Sequence, residues 1–151
     1  MYNRVLMVTH GAKTSLKAAE YVVELKKRHP EAEVEIIGVA TSPVDRNALI
    51  PGLLDIPMNF GIDTRMQTEA RIQARQELGR TKALFDQVGL DVSPVLLEGD
   101  PGKNIVSYAN RRGADHIVIG SGEPGFWGGV LRGSVAEQVV EGANCPVTVI
   151  T

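Results

Sequence analysis

The sequence predicts an α/β fold built on an open parallel sheet. Two observations carry this reading. Short apolar runs rich in Val and Ile alternate with longer stretches whose apolar residues recur every three or four positions, the marks of buried strands and of amphipathic helices. Each passage from one strand to the next carries a helix, and such crossovers demand parallel strands with helices on both faces. Five strands and four helices fit the 151 residues as one domain, residues 1–151.

Residues 4–9 (RVLMVT) are apolar and stop at His10-Gly11, as a buried strand does. Thr14 or Ser15 can cap the helix that follows. There Leu16, Ala19, Val22 and Val23 recur at helical spacing to about Arg28, and His29-Pro30 ends it. Residues 34–40 (VEIIGVA) form the second strand, stopped by Thr41-Ser42-Pro43. Residues 43–62 hold the breakers Pro43, Pro51, Gly52, Pro57 and Gly61, yet Leu49, Ile50, Leu53, Leu54, Ile56, Met58 and Phe60 are apolar. Two readings stand for this stretch: a partly ordered loop packed on the core, or a flap over a ligand or partner surface.

From Asp63 to about Val88, Met66, Ala70, Ala74, Leu78, Thr81 and Phe85 mark a long helix with one covered stripe. Gly79 inside it suggests close packing or a bend, and Gly89 closes it. Residues 91–97 (DVSPVLL) form the third strand, where Pro94 argues for a sheet edge or a distortion. Asp100 caps a third helix over residues 101–110, with Pro101 in its first turn. Residues 116–119 (HIVI) are the fourth strand, residues 134–141 the last helix and residues 146–150 (PVTVI) the fifth strand.

Composition excludes several classes. Hydrophobic residues make up 43% and charged residues 23%, ordinary for a folded domain. A net charge of -2 argues against a general electrostatic grip on nucleic acid. One cysteine leaves no intrachain disulfide and no cysteine-cluster metal site. No run approaches the roughly 18 apolar residues of a membrane span, and no signal peptide is evident at the start. The expectation is a cytoplasmic protein without membrane insertion.

In an open parallel sheet, ligands sit beyond the carboxyl ends of the strands, where strand order reverses. The loops to watch are therefore residues 9–13, 40–43, 98–101 and 120–133. The last holds six glycines: Gly120, Gly122, Gly125, Gly128, Gly129 and Gly133. Glycine removes side-chain bulk and admits unusual backbone angles, so amide N–H groups can converge on an anion. Gly133-Ser134 opens a helix, and helix starts attract phosphate. Two familiar motifs are decoys. Residues 120–125 spell GxGxxG but follow the fourth strand, and no helix opens on them. Gly11-Ala12-Lys13-Thr14 lacks the full spacing of a phosphate loop.

The catalytic inventory is thin. Cys145 reads as a buried structural thiol, His29 as a surface residue, and His116 as lying at the amino edge, away from the presumed site. His10, at a carboxyl edge, reads either as a base or phosphate contact or as an ordinary loop histidine. Asp100 and Glu123 alone do not make a hydrolytic pair, so whether the chain is an enzyme is open.

Four segments, in order, resemble the universal stress protein A family: Gly99-Asp100-Pro101, residues 113–120 (GADHIVIG), residues 131–137 (LRGSVAE) and residues 144–147 (NCPV). The resemblance spans essentially the whole chain. It implies a five-stranded parallel sheet in the order 3-2-1-4-5, Rossmann-like, of the adenine nucleotide alpha-hydrolase-like kind. It implies a homodimer, often through antiparallel contact of the last strands, here Val147–Ile150. Many members bind ATP or another adenine nucleotide, with Mg²⁺ as a companion cation, and some hydrolyse it slowly; others bind no ATP.

The family's nucleotide motif, G-x2-G-x9-G-[S/T], falls on Gly120 and on Gly133-Ser134, but its second glycine is Glu123. A carboxylate there repels phosphate unless a cation or a basic residue intervenes. Gly122 and Gly125 flank it. His10 stands where ATP-binding members usually carry Asp. Carried over residue by residue, the implied nucleotide contacts are Thr9, His10, Val39, Gly120, Gly122, Gly133, Ser134 and Val135. Phe126-Trp127 resembles an aromatic pair of the branch that binds no ATP. Two functions therefore stay open: a stress-response regulator binding ATP or a related adenine nucleotide with at most slow hydrolysis, or a dimeric interaction protein of the same family with an unknown protein partner and no nucleotide. An ordinary metabolic enzyme on a similar fold is a third, weaker reading.

Overall fold

The computed structural model describes residues 2–9, 13–41, 60–121 and 134–151. Nine elements alternate along them: β1 (Arg4–Val8), α1 (Lys13–Arg28), β2 (Glu33–Ala40), α2 (Phe60–Gln87), β3 (Ser93–Glu98), α3 (Pro101–Arg112), β4 (His116–Gly120), α4 (Ser134–Gly142) and β5 (Val147–Ile150). The strands form one parallel sheet in the order β3-β2-β1-β4-β5, with Val8 level with Ile37 on one side and with Ile119 on the other. The predicted topology is the observed one.

Strand alternation divides the core in two. Val5 and Met7 of β1, Val34 and Ile36 of β2 and Val118 of β4 point to one face. There α1 presents Ala18, Ala19, Val22 and Leu25, and α2 presents Leu78 and Phe85. Leu6, Val8, Ile37, Ile117 and Ile119 point to the other face, covered by Ile105 and Ala109 of α3 and by Val135, Ala136 and Val139 of α4. The central strands are buried on both sides, which is why they read as unbroken apolar runs. Helix α2 lies very close to β2. A Cβ built on Gly38 would stand 2.8 Å from Leu78 Cγ, so this position holds a residue without one.

Several sequence expectations shift. Helix α2 starts at Phe60 rather than Asp63, so the tail of the segment read as a loop is helical. Helix α1 begins at Lys13, which puts Thr14 and Ser15 inside its first turn rather than before it. Asp100 occupies the N-cap position of α3 with extended backbone, but its side chain makes no capping bond. Its carbonyl instead accepts from Asn104 N at 3.0 Å and Asn104 Nδ2 at 2.7 Å. Gly79 marks no close packing, since a Cβ there would meet nothing within 4 Å. Pro94 does sit in an edge strand, β3. Gly113 ends α3 with φ 66°, a left-handed residue whose N–H reaches the last carbonyls of the helix.

Candidate functional site at the carboxyl edge

The chain builds β1, β2 and β3 outward in one direction, then returns to β4 and β5 on the far side of β1. Strand order therefore reverses between β1 and β4, and the crevice outside their carboxyl ends is where such sheets hold ligands. Thr9 follows β1 there, Gly120 ends β4 beside it, and Val39 lies near the end of β2, on the other side of β1. Helix α4 starts at Ser134 and places Val135, 3% exposed, in the same apolar cluster against which Val39 packs. Thr9, Val39, Gly120 and Val135 are thus gathered at one sheet edge, with Ser134 at the start of α4. His10, Gly122, Glu123, Phe126, Trp127 and Gly133 lie outside the described residues, as does the segment 42–59.

These residues do not share one face. Val39 and Val135 belong to the side covered by α3 and α4. The Thr9 side chain turns to the opposite side, where its Oγ1 lies 2.8 Å from Oγ1 of Thr81 on α2. Its N–H donates to Ile37 O at 2.8 Å. Thr9 therefore offers the site a fixed point of backbone rather than a free hydroxyl.

Sequence reasoning missed two other hydroxyls at this edge. Thr41 directly follows β2 and Ser121 directly follows β4. Thr41 Oγ1 and Ser121 Oγ are both buried with no hydrogen-bond partner among the described residues. The Ser121 N–H is engaged with Ile150 O at 2.8 Å, so only its side chain lacks a partner. Strand alternation continues Ile37 and Val39 into Thr41, and Ile117 and Ile119 into Ser121, which sets both on the α3/α4 side with Val39 and Val135. A buried hydroxyl without a partner costs about 1–3 kcal/mol, so two of them on either side of β1 mark a place that a polar ligand or water would complete. The signal was present in the sequence as a Ser or Thr just past each of two apolar strands, but its weight depends on knowing that both strands neighbour β1.

Farther along the edge, Arg71 of α2 grips Glu98 at the end of β3 through Nε to Oε1 and through Nη2 to Oε2, the latter at 3.0 Å. The bidentate pair raises the Arg71 pKa by hydrogen bonding and by charge. It joins α2 to the β3 rim, where Gly99 N also donates to Ala40 O at 3.1 Å.

The α3/α4 face carries a second polar group toward the amino edge that sequence reading also missed. Glu35, 7% exposed within β2, accepts from Tyr108 Oη and from an Arg112 guanidinium N–H at 3.0 Å each. Burial, then the bond to Glu35, raises the Tyr108 pKa. This cluster joins α3 to the sheet, remote from the carboxyl edge. His116, at the amino edge as expected, is 7% exposed and bonds Thr148 of β5 through Nε2 at 2.8 Å. Among the described residues, no group of three or more His, Cys, Asp and Glu side chains is placed to hold a metal ion. None of the described helices is long and apolar enough to cross a membrane.

The Universal stress protein family profile matches residues 1–151. The chain belongs to the universal stress protein family. It is 30% identical over 151 residues to a universal stress protein of Methanocaldococcus jannaschii, covering 99% of this chain and 82% of that one. It is 27% identical over 150 residues to a universal stress protein of Bacillus subtilis, covering 99% of each chain. Among solved structures, a universal stress protein of Archaeoglobus fulgidus in complex with dAMP superposes with a TM-score of 0.66 at 21% identity, covering 100% of this chain and 98% of that one. A universal stress protein in complex with cAMP gives 0.66 at 19% identity, with 99% and 97% covered. A family member of Arabidopsis thaliana with AMP bound gives 0.63 at 18% identity, with 98% and 90% covered. At these identities the structural likeness speaks for the fold, a Rossmann-like sheet with helices on both faces.

Proposed function

We propose that this universal stress protein is a regulatory adenine-nucleotide binder of the stress response, working in the cytoplasm. Its ligand would be ATP or a related adenine nucleotide, turned over slowly at most. The observation that carries the reading is the carboxyl edge at the β1–β4 reversal. There Gly120 removes side-chain bulk, α4 opens at Ser134, and the Thr41 and Ser121 hydroxyls are buried without partners among the described residues. A nucleotide offers acceptors and donors for such hydroxyls, and its phosphate suits a glycine-lined helix start. Complexes of other family members with dAMP, cAMP and AMP support the choice of an adenine nucleotide. In this reading His10, Val39, Gly122, Gly133 and Val135 line the ligand, and Mg²⁺ enters only with a polyphosphate, where it would also offset Glu123. Regulation follows if the ligand orders one arrangement of the 43–62 and 120–133 segments and so changes the surface offered to a protein partner.

Calorimetric titration with ATP, ADP, AMP and cAMP, with and without Mg²⁺, tests the reading, alongside mass spectrometry of freshly purified protein for carried nucleotide. Saturable binding of at least one of the four is expected. A folded protein that binds none of them contradicts it.

A second reading, a dimeric interaction protein without nucleotide, is favoured by one specific observation. Strand β5 has a free edge among the described strands, and Val149 on it is 38% exposed. An open apolar edge invites strand pairing. A homodimer through Val147–Ile150 is compatible with either function. The absence of nucleotide is what separates the second.

A further inference from the structure

The Thr9–Thr81 pair has a role that rests on the nucleotide reading and adds a residue to it from outside the carboxyl-edge loops. The two hydroxyl oxygens lie 2.8 Å apart, and their residues are 2% and 7% exposed. Each threonine interrupts an apolar series. On β1 the side facing α1 and α2 runs Val5, Met7, Thr9; on α2 the buried stripe runs Ala74, Leu78, Thr81, Phe85. Valine would fill either position with the same shape. A buried hydroxyl is costly unless it is partnered, so the two interruptions make sense only together, each satisfying the other across the layer.

The place of the pair gives it a purpose. Thr9 is the last described residue before the first carboxyl-edge loop, and its N–H is already donated to Ile37 O at 2.8 Å. The hydroxyl bond adds a second anchor from a different element. The end of β1 is thus fixed both in the plane of the sheet, by β2, and perpendicular to it, by α2. Val39 and Val135 lie on the opposite side of the sheet, so the Thr9 side chain is directed away from them.

We propose that Thr81 is a positioning residue of the nucleotide site. Its hydroxyl, held against Thr9 Oγ1, fixes the end of β1 beside Gly120, and so the Thr9 backbone that the site presents to the ligand. Binding sites lose affinity when such supports are loosened, even where no ligand contact is removed.

The test is AMP titration of the full chain in four forms: parent, Thr81→Val, Thr81→Ser, and Thr9→Val with Thr81→Val. Valine keeps the shape and removes the hydroxyl; serine keeps the hydroxyl. Replacing both partners by apolar groups of the same shape is close to neutral for stability. The double variant therefore separates positioning from folding even if Thr81→Val alone is too unstable to study. The expected result is a Kd for AMP raised roughly tenfold in both valine forms, about the worth of one lost hydrogen bond. Thr81→Ser should bind like the parent, and the double variant should melt near the parent temperature. Parent affinity in the double variant would overturn the proposal, as would a Thr81→Ser as weak as Thr81→Val. A folded parent that binds neither AMP, ATP nor cAMP would instead overturn the nucleotide reading, and this inference with it.

Discussion

His116 shows what one buried titratable group does to the whole. Its ring meets the Tyr2 ring edge to face, with centroids 5.4 Å apart, and Tyr2 in turn lies 4.7 Å from the His29 ring. Desolvation lowers the His116 pKa from its ordinary 6.5, with neighbouring Asp115 opposing the shift only in part. The folded protein therefore holds fewer protons than the unfolded chain just below that value. The His116 contribution to stability is full above pH 6.5 and is lost as pH falls from there toward the depressed folded value. Urea unfolding across that window should show stability dropping on acidification, and His116→Gln should flatten the drop. An unchanged slope in the variant would show that other groups carry it. Cys145, read from the sequence as a buried structural thiol, is only half-buried; desolvation, then the Asp115 charge, raises its thiol pKa.

The helices and strands test the packing argument through two glycines of opposite sign. A methyl at Gly38 would press on Leu78 at 2.8 Å, so Gly38→Ala should destabilise by about 1–3 kcal/mol. A methyl at Gly79 enters open space on an exposed turn of α2, so Gly79→Ala should stabilise by about 0.5–1 kcal/mol. Denaturant midpoints of the two variants should move in opposite directions, and a shift the same way in both would refute this account of α2. The contrast also shows what could be read from the sequence. All five strands were legible because the central ones are buried on both faces and the edges carry their own marks, Pro94 in β3 among them. Gly79 and Gly38 were not separable, because a glycine in sequence does not say which neighbour stands over it. The start of α2 was misplaced by three residues because Gly61 suppressed a helix that begins at Phe60. Asp100 carried the right residue type for a cap but turned out to use its carbonyl, which side-chain type does not predict.

At the scale of the molecule, the edge of β5, free among the described strands, and the carboxyl-edge site each have their own test. Val149→Lys places a charge on the exposed face of the edge strand. It should shift the protein from dimer to monomer in light scattering at micromolar concentration, while nucleotide affinity changes little. A parent that is already monomeric contradicts the pairing. The site itself was half legible. Glycine spacing and the Gly133-Ser134 pair pointed to the same carboxyl edge on which the proposed function rests, and the alternation of strands and helices supplied the strand reversal there. Thr41 and Ser121 escaped notice because a lone hydroxyl gains meaning only when the sheet order brings its strand beside β1. Thr81 escaped because it is far from that edge in sequence and reads as one more member of a covered helical stripe. The most direct measurement of the central claim is a map of backbone amide NMR shifts on adding AMP to nucleotide-free protein. The account predicts shifts centred on Thr9, Val39, Thr41, Gly120, Ser121 and Val135, with Glu35 and His116 at the other end of the sheet unmoved. Shifts centred on Glu35, Tyr108 and His116, or none at saturating AMP, would contradict it.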